Sequence, residues 1–202
     1  MQRADYYRGF VERVAIDPYI FLEYCEFLFV NAPILFASFV APEEGPFPLE
    51  ELAASPLLER LNAIGLEDGI VDDAGVEVFA ASPHLTNCHF LNLSGNVLTI
   101  RAFDALARNP STRKLLVVGR DQNGPPDTLY DPGQQYEETG RIDRWDRIVQ
   151  ELGPVKPEGQ ALERKYGYLP WLHSENSCHP LDAHWFVEHG VLPVKPVGSP
   201  VE

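Results

Sequence analysis

Four of the six histidines and one of the three cysteines fall in HSENSCHPLDAHWFVEHG, residues 173–190. His173, Cys178, His179, His184 and His189 are the side chains whose types could do chemistry. Imidazole and thiolate are zinc ligands. Their spacings match no compact finger or ribbon. His184 and His189 are five residues apart, so on one helix they diverge by about 140°, given 3.6 residues per turn. A cysteine–histidine nucleophilic pair would need a geometry that sequence proximity does not supply. The cluster reads as polar residues gathered in a loop, with a metal-dependent enzyme as the alternative. There is no phosphate-binding glycine loop, no HExxH and no nucleophile elbow. No catalytic set and no cofactor is expected.

Charge points to binding. The 202 residues carry a net charge of −14. Residues 1–100 hold 15 acids and 4 bases, and residues 101–202 hold 15 acids and 12 bases. Between Glu43 and Glu77 ten acids face only Arg60. Such a field repels phosphate backbones and attracts a basic partner, so nucleic acid is excluded as a partner. No apolar run of about 18 residues exists, so no membrane partner is expected. MQRADYYRGF lacks the apolar core of a secretory signal. Three widely spaced cysteines, Cys25, Cys88 and Cys178, favour free thiols in a reducing compartment. The expected location is the cytoplasm.

The elements that must position any site come from a repeat. AASPLLERLNAIGLEDGIVDDAGVEVF, residues 53–79, aligns without gaps with AASPHLTNCHFLNLSGNVLTIRAFDAL, residues 80–106. Leu58 matches Leu85, Leu61 matches Cys88, Ile64 matches Leu91, and Leu66 matches Leu93. The next turn, residues 107–123, keeps the register at Pro110, Leu115, Val118 and Asn123. The pattern is LxxLxxLxLxxN. Leu91 and Leu93 would point inward from a short strand, at period two. Asn96 would satisfy backbone groups in the turn that follows. Thr99 would cap a helix running to about Arg108. Upstream, Val14 and Ile16, then Ala37 and Phe39, repeat the inward pair. Asp17-Pro18 reads as a cap and first position of a helix reaching about Asn31. The pairs led by residues 14, 37, 64, 91 and 118 are spaced 23, 27, 27 and 27 apart.

This pattern resembles the leucine-rich repeat, and its period resembles the ribonuclease-inhibitor-like subclass. YYRGFVERVAID, followed by AASP-containing repeats, resembles a bacterial group of leucine-rich-repeat proteins over roughly residues 8–123. Fuller members of that group would carry a helical domain ahead of this segment. The resemblance implies an α/β fold: a short solenoid of about five strand–helix units that binds protein and has no defined activity.

In such a stack the side chains between the inward pairs line a concave face. The central row is Ala15, Ser38, Gly65, Asn92 and Gly119. One flank is Arg13, Phe36, Ala63, Phe90 and Val117, and the other is Asp17, Val40, Glu67, Ser94 and Asp121. Phe36, Glu67, Phe90, Asn92, Asp121 and Asp17 are the candidate partner-binding residues. The alternative is that the C-terminal segment folds back and covers this face.

Residues 124–202 are expected to form a loop, a helical cap and an extended tail. Ile142, Trp145, Ile148, Val149 and Leu152 share one helical face. A second helix would turn Ala161, Leu162 and Tyr166 inward. The functional expectation is a non-enzymatic inhibitor or immunity-like protein that neutralises a basic toxin or enzyme, with a general scaffold as a further alternative.

Overall fold

A computed structural model describes residues 3–7, 10–115, 117–119 and 157–172. It is an α/β fold in which strands and helices alternate like a repeat. The strands are β1 (Arg3–Tyr7), β2 (Phe10–Ile16), β3 (Phe36–Phe39), β4 (Ala63–Leu66), β5 (Phe90–Asn92) and β6 (Val117–Gly119). They form one sheet whose spatial order is their chain order. β2 through β6 are parallel, and β1 pairs antiparallel with β2. The β1 hairpin was not foreseen, because RADYY has neither the inward pair nor a clear alternation.

Register follows the inward pairs. Val14 lies opposite Ala37, Ala37 opposite Ile64, Ile64 opposite Leu91, and Leu91 opposite Val118. A slip of one residue would send every one of these side chains to the other sheet face, so the apolar pairs hold the register.

The helices are α1 (Pro18–Asn31), α2 (Leu49–Ala53), α3 (Asp73–Ala80), α4 (Ile100–Arg108), α5 (Pro110–Arg113) and α6 (Pro157–Tyr166). Their starts are set by capping chemistry. The Asp17 carboxylate accepts hydrogen bonds from the amides of Tyr19 (2.8 Å) and Ile20 (3.3 Å), with Pro18 as first helical residue. Asp72 accepts from Gly75 N (2.8 Å), and Thr99 from Arg101 N (3.3 Å). α2 is short because Pro42, Pro46 and Pro48 occupy the segment ahead of it. Pro56 and Pro110 each open a short helical turn after the preceding helix has ended.

One apolar core joins the helices to the sheet. Val14, Ile16, Ala37, Phe39, Ile64, Leu66, Leu91, Leu93 and Val118 supply the sheet side. Phe21, Cys25, Phe29, Leu52, Val76, Phe79, Phe103 and Leu106 supply the helix side. Phe21 meets Phe39 edge-to-face, with ring centroids 5.0 Å apart, and Phe29 at 6.2 Å. Beyond α4 lies α6, followed by a 3-10 turn at Pro170–Leu172. Trp171 is fully buried, its ring 6.2 Å from that of Phe103. Within α6, Leu162 is buried and Tyr166 half-buried, but Ala161 is exposed rather than inward. Among the described residues no helix is long and apolar enough to cross a membrane.

Candidate partner-binding face and carboxyl edge

The rows expected to line the concave face are in register. Arg13, Phe36, Ala63, Phe90 and Val117 pair in succession, as do Ala15, Ser38, Gly65, Asn92 and Gly119. Alternation along each strand places Phe36, Ala63 and Phe90 on the face opposite the helices. They stand outside the helix-side core.

That row is not open. Phe36, Phe90 and Asn92 retain only 2%, 1% and 3% of their surface, and Ser38 retains 8%. The expectation of exposed aromatic anchors is therefore corrected. A ring with 1% exposure has no surface left to lend a partner, and Phe36 already carries the Arg13 guanidinium 4.7 Å from its centroid. Such a stack is itself a favourable contact.

Glu67 follows β4 and folds back across the strand. A methyl group on Gly65 would sit 2.8 Å from Glu67 Oε1 and 3.1 Å from Ser38 Oγ, so a side chain there would push that carboxylate out of its place. Asn92 Nδ2 donates to Glu67 Oε1 at 2.6 Å. Asn92 Oδ1 accepts from Ser94 N (3.1 Å) and Ser94 Oγ (2.7 Å). Burial raises the Glu67 pKa above the usual carboxylate value. The Asn92 hydrogen bond and the Arg13 charge pull it back, and the Asp68 charge pushes it up. The result is a half-buried carboxyl held by the Asn92 amide, which the Ser94 hydroxyl and backbone amide hold in turn.

The other candidates have separate fates. Asp17 is spent on capping α1 and stands apart from this network. Asp121 lies outside the described residues, as does the His173/Cys178/His179/His184/His189 cluster. Among the described residues no group of three His, Cys, Asp or Glu side chains is arranged to hold a metal ion. Cys25 and Cys88 are buried thiols, both pushed up to about 12 chiefly by burial, which makes thiolate chemistry remote.

The turns leaving the strands are built with care. Asn96 Nδ2 donates to Leu66 O (2.6 Å) and Leu93 O (2.8 Å), while its Oδ1 accepts from Val71 N (3.1 Å). One side chain thus ties two successive turns together. Asp68 has φ of 60° and Gly69 of 81°. Gly95, at φ 76°, permits Asp68 to approach, because a methyl group there would lie 2.6 Å from Asp68 Oδ1.

These turns share the carboxyl edge of the parallel sheet, and their charge is of one sign. The segments after β2, β3 and β4 contain Asp17, Glu43, Glu44, Glu67, Asp68 and Asp72 but no lysine or arginine, and the segment from 93 to 99 after β5 is uncharged. Glu43, Glu44 and Asp68 are exposed. Arg60, Arg113 and Lys114 stand instead just before strands, toward the amino edge. Asp68, Ser38 and Arg13 were not singled out as a set from sequence. The Asp-Gly pair at 68–69 was the available signal for the exposed turn.

No family model matches this chain, and neither a curated protein nor a solved structure does. Function therefore rests on the chain's own geometry and charge.

Proposed function

We propose that this chain is a short leucine-rich-repeat solenoid of the ribonuclease-inhibitor-like type, about five units over residues 8–123 with a helical cap beyond. On this reading it is a non-enzymatic module that binds a basic protein, in the manner of an inhibitor or immunity protein neutralising a cationic toxin or enzyme. The repeat reading is supported by the unbroken register of residues 14, 37, 64, 91 and 118. It is supported too by Asn96 joining successive turns.

The single observation behind the binding reading is the carboxyl edge, where three consecutive turns, those after β2, β3 and β4, carry acids and no lysine or arginine. Like charges crowded on one edge repel each other and are relieved by a cation. Such an edge steers a basic protein toward it and speeds encounter. Glu43, Glu44 and Asp68 carry the role, in place of the buried Phe36, Phe90 and Asn92. Asp17 and Asp72 belong to the same field while capping their helices.

The test starts from proteins captured by the full chain from its native extract and identified by mass spectrometry. Association rates are then measured for the chain and for a Glu43→Lys/Glu44→Lys/Asp68→Asn variant. Asparagine tolerates the positive φ at residue 68, so the fold is spared. A loss of about tenfold or more in association rate at low salt, fading at high salt, is the expected result. Equal rates at every salt concentration would reject the carboxyl edge as the binding surface.

A further inference from the structure

Helix α1 has an apolar outer face that nothing in the core explains. Phe21, Cys25 and Phe29 fill its inner side. On the solvent side Ile20, Tyr24, Phe27 and Val30 follow one another at intervals of four, three and three residues, which forms a single stripe. Phe27 is 68% exposed and Val30 82%. A contiguous stripe of this kind, unlike a lone exposed leucine, marks an interaction surface.

Charge selects the occupant. The two charged residues of α1 are Glu23 and Glu26, both exposed. Residues 14 to 59 contain no lysine, arginine or histidine. Tyr19 Oη donates to Pro46 O (2.7 Å), which ties the start of α1 to the loop that bears Glu43 and Glu44. A second copy of the chain would set carboxylates against carboxylates with no cation on α1 itself to receive them, and the neighbouring Arg60 is stacked on the inner-side Phe29 ring, 4.5 Å from its centroid. An anionic membrane surface would meet the same repulsion.

We propose that the outer face of α1 is a docking site for a basic amphipathic helix of a partner protein. Its apolar side lies along Tyr24, Phe27 and Val30, and its lysines or arginines reach Glu23 and Glu26. This is the helix-in-groove logic of recognition, with apolar anchors at helical spacing and charges at the rim. The surface is separate from the carboxyl edge, and variants of the two can fail independently.

The probe is a fluorescein-labelled synthetic peptide with leucine and tryptophan on one helical face and arginine on both flanks. Anisotropy is read with the full chain and with Phe27→Ser/Val30→Ser, both exposed positions, after circular dichroism has verified the variant's fold. The expected result is binding that weakens at least about tenfold in the variant. Glu23→Gln/Glu26→Gln should weaken binding and flatten its salt dependence, and a glutamate-flanked peptide should not bind. Affinity for the serine variant within about twofold of the parent would overturn the proposal, because the peptide would then sit elsewhere on an acidic surface. Dimerisation abolished by the serine substitutions would overturn it in favour of a second copy. Retention on phosphatidylserine vesicles that the same substitutions abolish would overturn it in favour of a membrane.

Discussion

Helices α1 and α4 do the same work in the chain. Each leaves the carboxyl end of a parallel strand and lays an apolar face on the sheet. Each starts at a side-chain cap, Asp17 in one and Thr99 in the other. Their outer faces differ. In α4, Arg101 and Arg108 both reach Glu77 of α3, at 3.4 and 2.7 Å. Asp104 accepts from Lys165 Nζ (2.9 Å) and from Tyr166 Oη (3.1 Å) on α6. In α1 the equivalent surface is Ile20, Tyr24, Phe27 and Val30. The contrast teaches that the sheet needs only the inner face of its helices. What the outer face holds is set by its neighbour: polar links where α3 and α6 are at hand, apolar side chains where a neighbour of another kind is called for.

The inner faces should therefore behave alike. Phe21→Ala and Phe103→Ala each empty a buried ring site and should cost about 3–5 kcal/mol in denaturant unfolding. A loss confined to one of them would break the equivalence of the two helices. The caps come next. Asp17→Ala and Thr99→Ala should each cost about 1 kcal/mol, read the same way. Thr99 also donates its hydroxyl to Asp73, so an excess at Thr99 would measure that second bond.

The outer faces should then separate. Burial resists ionisation of Asp104, but hydrogen bonds from Lys165 and Tyr166 outweigh it and hold the carboxyl below its ordinary value. A depressed folded pKa contributes stability above the unfolded pKa, about 3.9, and loses it as pH falls through the folded value. Asp104→Asn should therefore lower the thermal midpoint modestly at pH 7. The difference from the parent should shrink below about pH 4, as the parent's own carboxyl begins to take up its proton. Smallest of all, Phe27→Ser should move stability by no more than about 0.5 kcal/mol, because the ring packs mainly on water. A larger loss would mean that the α1 stripe is structural and would remove the contrast.

Much of this architecture was legible. The inward pairs at 14/16, 37/39, 64/66 and 91/93 announced the strands, because apolar residues two apart can share one buried face. Asp17-Pro18 and Thr99 announced α1 and α4, because capping needs only a local side chain. Asn96 was readable as a turn residue, though not its reach back to Leu66 and Val71. The candidate site was read less well. Phe36 and Phe90 were placed on the correct sheet face, but their burial was not visible. Asp17 looked equally suited to a partner and to a cap, and the carboxylate is engaged by the cap. β1 was missed because a hairpin strand at the sheet edge needs no repeat signature.

The sequence by itself determined which residues face the core and which strand positions lie side by side. Both follow from local periodicity and from a repeat that copies the same period. Only the tertiary structure decided which surfaces are free. Exposure is a sum over segments far apart in the chain, so it closed over Phe36, Phe90 and Asn92 and left Phe27 and Val30 in water. The same sum raised Glu67 above an ordinary carboxylate, because burial removes its water and outweighs the opposing pull of Asn92 and Arg13, which arrive beside it from other strands.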